Sequence, residues 1–212
     1  MRILKVEKIK YDKKHVKLTL GEEGESPKYL VCPAIVLESQ GLAEGSEVHF
    51  EKVQAAASEA EGHLADEIAL RKLSYASRSE KEIKNALKSK NVTKEAATAT
   101  MEKLKRYSLV DDKKFAAEFI RFSKYGKLKI VYILTAEKGI DAKLVSELVD
   151  ELLDDEAEEE KALKAAEKCA TAAFKSKKDP ERRLFMHLLS KGFENRVAAR
   201  AVKKILGATV DE

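Results

Sequence analysis

Residues 127–140, KLKIVYILTAEKGI, are the stretch that decides the fold of this chain. About a dozen residues without Gly or Pro end at a Lys-Gly pair, and the apolar Ile140 follows at once. Glycine adopts the left-handed conformation that closes a helix at no steric cost, so the pair predicts a helix end. Ile140 then lies where a hydrophobic staple would hold the start of the next helix.

Two other stretches superpose on this one. Residues 79–92, SEKEIKNALKSKNV, end at Lys-Asn before Val92, and residues 180–193, PERRLFMHLLSKGF, end at Lys-Gly before Phe193. Asparagine is the next best residue after glycine for a left-handed helix end. A helical pattern precedes each copy and another follows it. The repetition predicts three tandem three-helix repeats over residues 60–207, stacked in an elongated array, and therefore a mainly α fold.

Polar residues at the expected helix starts support these boundaries. Ser79 with Glu82 has the spacing of a capping box, and Asp141 is a suitable N-cap for the helix that follows Ile140. Asp111 and Asp112 are paired acids, but a helix cap explains them better than acid–base chemistry does.

The first fifty or so residues have a different pattern. Alternation of Val16, Leu18 and Leu20 with polar residues predicts a half-buried strand. Residues 3–11, 29–32 and 46–50 are predicted as further strands, and a short helix is predicted from Pro33 to Gly41. The chain is therefore divided into a small β-rich N-terminal domain, residues 1–54, and helical repeats at 55–110, 111–155 and 156–212.

Composition excludes several classes of protein. Cys32 and Cys169 are far apart without metal-ligand spacing, which predicts two reduced thiols in a cytoplasmic protein. No apolar stretch approaches the length of a membrane span or a signal peptide. The net charge is +4 and unevenly distributed, with an acidic block at 150–160 and a basic stretch at 161–204. Such a pattern suits a charged partner or simply keeps helix surfaces soluble.

No catalytic motif is present in the sequence. It has no phosphate-binding glycine loop, no nucleophile elbow and no cluster of residues at metal-ligand spacing, and each histidine stands alone. We therefore predict no catalytic residues, no cofactor and no metal. Five phenylalanines with helical spacing are predicted to pack in the core: Phe115, Phe119, Phe122, Phe174 and Phe185.

Four motifs in order resemble the RecX family over residues 64–206. They are Arg-Ser-Glu at 78–80, LVDDKKFA at 109–116, Lys-Gly-Ile at 138–140 and Lys-Gly-Phe at 191–193. The second motif is the most specific. The family has glycine where this chain has Ser108 and Asn91, and both are helix-end positions at which a polar residue can substitute.

The resemblance implies a non-enzymatic regulator of RecA, active in recombinational DNA repair and the SOS response. RecX proteins lie along the groove of the RecA–single-stranded-DNA filament and suppress its extension, ATP hydrolysis and strand exchange. Some also bind single- or double-stranded DNA, and we expect a monomer. Two alternatives stay open at this point: a direct DNA-binding helical module and a general helical scaffold for another protein.

Basic residues near the repeat junctions and on the last repeat are the candidate contacts to RecA or DNA, although solvated helix faces explain each of them equally well. The set comprises Arg78, Arg121, Lys124, Lys127, Lys129, Arg182 and Arg183.

Reversing the charge of Arg182 and Arg183 to glutamate is predicted to weaken RecA inhibition, because the basic cluster of the last repeat would then repel an acidic partner. The DNA-dependent ATPase activity of RecA measures the effect, and circular dichroism should show unchanged helicity. Undiminished inhibition by the double variant would remove this cluster from the mechanism.

Overall fold

Strand alternation in the N-terminal domain produces a three-stranded antiparallel sheet of order β1-β2-β3. The structure is a computed structural model that describes residues 1–22, 24–174 and 179–208, without the side chains of 171–174 and 208. The strands are β1 (Arg2–Ile9), β2 (Asp12–Gly21) and β3 (Lys28–Pro33). Val16, Leu18 and Leu20 are all buried, as the alternation predicts.

Helix α1 (Ile35–Gln40) follows the sheet and ends at Gly41, whose φ of 59° is left-handed. The prediction of a strand at residues 46–50 was wrong. Only an isolated bridge joins Arg2 to Glu47, and Phe50 already begins α2 (Phe50–Leu73). The run of Glu, Lys and Ala after Phe50 favours helix, and it extends the helix back to this residue.

Helix α2 contributes to both the N-terminal domain and the first helical repeat. Val53 and Ala57 pack in the core of the sheet, while Ala65 and Ala69, three turns further on, pack in the core of the first repeat. The predicted boundary between residues 54 and 55 therefore falls inside a helix. The four-part division of the chain stays a prediction. The structure itself divides into two units, Met1–Val110 and Asp111–Glu212.

The remaining helices complete three repeats, and the predicted fold class is confirmed. They are α3 (Glu80–Lys88), α4 (Lys94–Arg106), α5 (Asp112–Phe122), α6 (Lys127–Tyr132) with a π-helical turn at Ile133–Glu137, α7 (Ala142–Leu152), α8 (Asp155–Phe174), α9 (Pro180–Ser190) and α10 (Asn195–Ala208). Each repeat encloses its own apolar core, and the sheet has a fourth.

The three predicted helix ends share one conformation. Asn91, Gly139 and Gly192 have φ of 57°, 71° and 82°. The N–H of the next residue donates to a carbonyl of the closing helix, at 3.2 Å for Val92 and 3.2 Å for Phe193. Ser108, which stands where the RecX family has glycine, is also left-handed at 54°. The left-handed helix end therefore forms even where the residue is not glycine.

The predicted caps are also confirmed. Ser79 and Glu82 form a reciprocal capping box at the start of α3. The Asp111 carboxylate accepts the N–H groups of Lys113 and Lys114, and Asp141 caps α7 in the same way. Asp111 is therefore engaged with helix N–H groups, the role that the sequence favoured.

Two glycines allow the second and third repeats to meet backbone to backbone inside the second unit. The N–H of Gly126, just before α6, donates to the Lys191 carbonyl at 3.0 Å, and the N–H of Leu128 donates to Gly192 at 3.1 Å. A Cβ at Gly126 would lie 2.4 Å from the Phe193 nitrogen. No side chain fits there, so this junction requires glycine.

Replacing Gly126 by alanine is expected to lower the free energy of unfolding by about 2–3 kcal/mol, because the backbones must separate to admit the methyl group. Chemical denaturation, monitored by circular dichroism, measures the free energy of unfolding. Gly62→Ala is the matched control, since Gly62 is a helical glycine with open space around it. That control should gain about 0.5–1 kcal/mol. Equal stability of both variants would contradict the close approach at Gly126.

Candidate partner-binding cleft

A basic cleft of about 790 Å³ lies in the second unit, between the end of α5, helix α8 and helix α9. Among the described residues that line it, six side chains are basic and Glu160 is the single acidic one. The basic residues are Arg121, Lys124, Lys161, Lys164, Lys168 and Lys191. Clefts lined by one sign of charge concentrate the field and attract a partner of opposite charge.

Lys161 fixes the geometry of the cleft. Its Nζ donates to the carbonyl of Ile120 and, at 3.1 Å, to that of Ser123. These carbonyls belong to the C-terminal end of α5, where a cation complements the helix dipole. Burial lowers the pKa of Lys161. Because Lys161 is on α8, the bonds hold the turn that carries Arg121 and Lys124 against the third repeat.

Phe122 lines the cleft with an apolar surface, and the prediction that it packs in the core was wrong. Its side chain is 85% exposed. Successive residues of an α-helix are rotated by about 100° around its axis. Phe122 therefore points about 140° away from the mean direction of Ala116 and Ile120, the buried side of α5. Phe115 and Phe119 lie between these directions; they are half-buried, and their rings stack with centroids 6.5 Å apart.

The third repeat holds the other two phenylalanines of the predicted set. Phe185 packs against the core of this repeat. The side chain of Phe174 lies outside the described residues.

Lysine and arginine supply the charge of the cleft at neutral pH. Burial, and then the nearby Lys191, lower the pKa of His187 below its usual 6.5, so this imidazole is neutral at pH 7. Lys191 itself has its Nζ 5.5 Å from the centroid of the Tyr125 ring. The aromatic ring fixes this lysine by a cation–π contact at one side of the cleft.

Of the seven predicted contact residues, the cleft brings together Arg121 and Lys124. Lys127 Nζ donates to Asp150 at 3.0 Å, which raises the pKa of Lys127. Lys129 Nζ donates to the Ser190 carbonyl at 3.3 Å. Lys127 and Lys129 therefore contribute to contacts inside the second unit.

The other three predicted residues lie elsewhere. Arg78 pairs with Glu82 at 3.3 Å in the first unit, where its buried Nε has no hydrogen-bond partner among the described residues. Arg182 and Arg183 are exposed on α9, and Arg182 lines a separate groove with Asp179 and Glu181. The seven residues do not form one site.

The lysines of α8 that line the cleft were not among the predicted contact residues. Lys161, Lys164 and Lys168 follow one another at i, i+3 and i+7, the spacing of a single helix face. That stripe was the available signal, but the general richness of lysine in residues 161–204 obscured it.

Cys32, one of the two cysteines, is buried in the core of the sheet. Burial, with a smaller effect of Glu61, raises the pKa of Cys32 to about 11, so its thiol stays protonated and is a poor nucleophile. In the described part of the chain, no group of three His, Cys, Asp or Glu side chains could hold a metal ion. Across the same residues, no helix has the length and apolar character needed to cross a membrane.

Three three-helix repeats, a small N-terminal sheet and a basic cleft between the second and third repeats define a helical-repeat protein with a charged binding surface. Residues 65–104, from α2 to α4, match the family model of the first three-helix domain of RecX. Regulatory protein RecX of Finegoldia magna is 35% identical over 141 residues, covering 63% of this chain and 68% of that protein. The chain belongs to the RecX family, which confirms the resemblance found in the sequence.

Two further comparisons extend the similarity along the whole chain. Regulatory protein RecX of Clostridium beijerinckii is 28% identical over 216 residues, spanning 100% of this chain and 99% of that protein. A crystal structure of a regulatory protein RecX superposes with a TM-score of 0.57 at 26% identity, covering 92% of this chain and 96% of that one. The sheet and all three repeats thus have counterparts in proteins named as regulators.

Replacing Lys161 by methionine is expected to lower the free energy of unfolding by about 1–2 kcal/mol, because two helix-end carbonyls lose a charged donor while the apolar stem remains. Thermal and urea denaturation measure the change. Lys164→Met is the control, since Lys164 is exposed and, among the described residues, forms its ion pair with Glu160 one turn away. It should change stability by less than about 0.5 kcal/mol. A loss in the control as large as in Lys161→Met would refute the role given to Lys161.

Proposed function

We propose that this protein is a non-enzymatic, cytoplasmic regulator that binds RecA and its single-stranded-DNA filament. It inhibits the ATPase and recombinase activities of RecA and so modulates recombinational DNA repair and the SOS response. Membership of a family of regulatory proteins supports the regulatory role. The motifs that the RecX resemblance rests on support RecA as the target.

The basic cleft of the second unit is the observation that links this proposal to particular residues. It combines six basic side chains with the exposed ring of Phe122. Charge complementarity steers association and fixes register, whereas a central aromatic residue supplies affinity. Such a surface suits an acidic patch of a RecA subunit that also offers an apolar pocket.

Arg121 and Lys124 are suited to a test of this contact. Both side chains are exposed, and neither side chain makes a hydrogen bond or ion pair with the residues that the structure describes. Reversing both to glutamate is expected to raise the concentration needed for half-inhibition of RecA's DNA-dependent ATPase by roughly tenfold or more, because two favourable charge contacts become repulsive. Helicity and thermal stability should not change.

The matched control reverses Lys113 and Lys114, two exposed lysines at the other end of the same helix. Negative charge at a helix N-terminus is favourable, so this variant folds and carries the same change in net charge. It should inhibit RecA like the unaltered protein. Equal loss in both double variants would mean that net charge alone matters, and loss confined to the Arg182/Arg183 variant would move the contact to the last repeat.

A direct DNA-binding helical module is the second candidate function, supported by the lysine-rich surface of α8 and the basic residues of α3. Tight and strongly salt-dependent binding to bare duplex DNA without RecA is its expected signature. Inhibition of RecA at substoichiometric amounts with weak binding to bare duplex DNA favours the regulator instead. A general helical scaffold predicts neither result.

A further inference from the structure

The tip of the β1–β2 hairpin is an exposed and strongly basic protrusion. Lys10, Lys13 and Lys14 are exposed around Tyr11, whose side chain is 92% exposed. Tyr11 also has a φ of 69°, a left-handed conformation that is unfavourable for a residue with a Cβ. Glycine or asparagine would turn the chain here without strain. A strained aromatic residue at an exposed tip is a reason to look for a binding role.

Asp12, the first residue of β2 after the turn, directs its carboxylate inward, and its side chain is only 8% exposed. Its Oδ1 accepts the N–H of Lys14 at 2.9 Å, and its Oδ2 accepts from the Asn91 amide at 2.9 Å and lies 2.8 Å from His15 Nδ1. Burial acts to raise the pKa of Asp12, but these hydrogen bonds outweigh it and lower the pKa. The tip therefore presents only positive charge outward.

The base of the hairpin is fixed to the helices of the same unit. His15 Nε2 lies 2.9 Å from Oε2 of Glu61 on α2, and Glu61 Oε1 accepts the N–H of Thr93 at the start of α4. The side chains of His15 and Glu61 are 3% and 6% exposed. A tip held from two helices is preorganised, so a ligand binds without the entropic cost of ordering it.

The outward face of the sheet also carries an exposed tyrosine with a lysine beside it. Tyr29 pairs with Thr19 and is 60% exposed, and Lys17 places its Nζ 4.6 Å from the centroid of the Tyr29 ring. Glu7, the acid on this face, pairs with Lys5 at 2.8 Å. From Asp12 to Thr19, strand β2 spans roughly 23 Å at the usual rise per residue. Exposed tyrosines with neighbouring lysines thus occur at both ends of this length.

We propose that this hairpin binds single-stranded nucleic acid, with phosphates on Lys10, Lys13 and Lys14 and an unpaired base stacked on Tyr11. Alternating aromatic rings and cations match the alternation of bases and phosphates along a single strand. A duplex does not offer an unpaired base to the ring. An acidic protein would need a pocket for Tyr11 besides its charge. This site is in the first unit and does not depend on the proposed contact with RecA.

The variant Tyr11→Gly gives the sharpest test, because glycine relieves the left-handed strain while it removes the ring. The full-length protein is titrated into a fluorescein-labelled oligothymidylate of about 16 nucleotides, and binding is followed by anisotropy. The variant should bind roughly 5-fold to 100-fold more weakly, the effect of losing one stacked base. Its melting temperature should not fall. Tyr75→Gly, which removes another exposed tyrosine, 78% exposed and located after α2, should bind normally.

The lysines are tested by salt dependence. Changing Lys10, Lys13 and Lys14 to glutamine should reduce the slope of log affinity against log salt concentration by about 2, as expected for three lost phosphate contacts. The control changes Lys113, Lys114 and Lys143, three exposed lysines of the second repeat, and should leave the slope nearly unchanged.

Three results would overturn the proposal. The first is failure of the unaltered protein to bind the oligothymidylate, and the second is equal weakening by the hairpin and control variants. The third is tighter binding of a labelled oligoglutamate peptide or of a duplex of the same length than of the single strand, which would assign the tip to an acidic protein or to a duplex backbone. Loss of RecA inhibition in the Arg121/Lys124 variant is a separate readout, so the two proposals can fail independently.

Discussion

The left-handed helix end followed by a buried apolar residue is the constraint on which the rest of this fold depends. At Asn91, Gly139 and Gly192 the backbone turns out of one helix and delivers the next residue into the core. Phe193 and Ile140 are almost fully buried there, and Val92 packs at the edge of the first repeat. Because the turn fixes both the end of one helix and the entry of the next, it sets the crossing of the helices and the shape of each core.

The same local chemistry explains which features the sequence could predict. Helix ends, helix caps and strand alternation depend on residues within about five positions of one another. The three helix ends, the caps and the alternation of β2 were confirmed. The direction of Phe122 depends on where the core lies around α5, and spacing alone placed it wrongly. The cleft depends on Lys161 reaching carbonyls about forty residues earlier in the chain. The link from His15 to Glu61 joins residues 46 positions apart, and neither residue has a local signature for it.

Two buried glutamates show how the helices are joined within each unit. Glu61 on α2 accepts the N–H of Thr93 at the start of α4, and Glu158 on α8 accepts the N–H of Lys127 at the start of α6. In both cases a carboxylate satisfies a helix N-terminus that would otherwise lack an acceptor. Burial raises the pKa of Glu158, because placing a carboxylate in the interior carries a desolvation cost. In return, the two carboxylates position the starts of α4 and α6 against the helices that carry them.

The contact between Gly126 and Gly192 has a consequence for how the second unit loses its structure. Repeat proteins ordinarily fray one repeat at a time from an end, because each repeat touches only its neighbours through side chains. Here amide protons at the start of α6 are bonded to carbonyls at the end of α9. Those amides exchange with solvent only when their hydrogen bonds to the end of α9 break, so the second and third repeats should behave as a single cooperative foldon in hydrogen exchange.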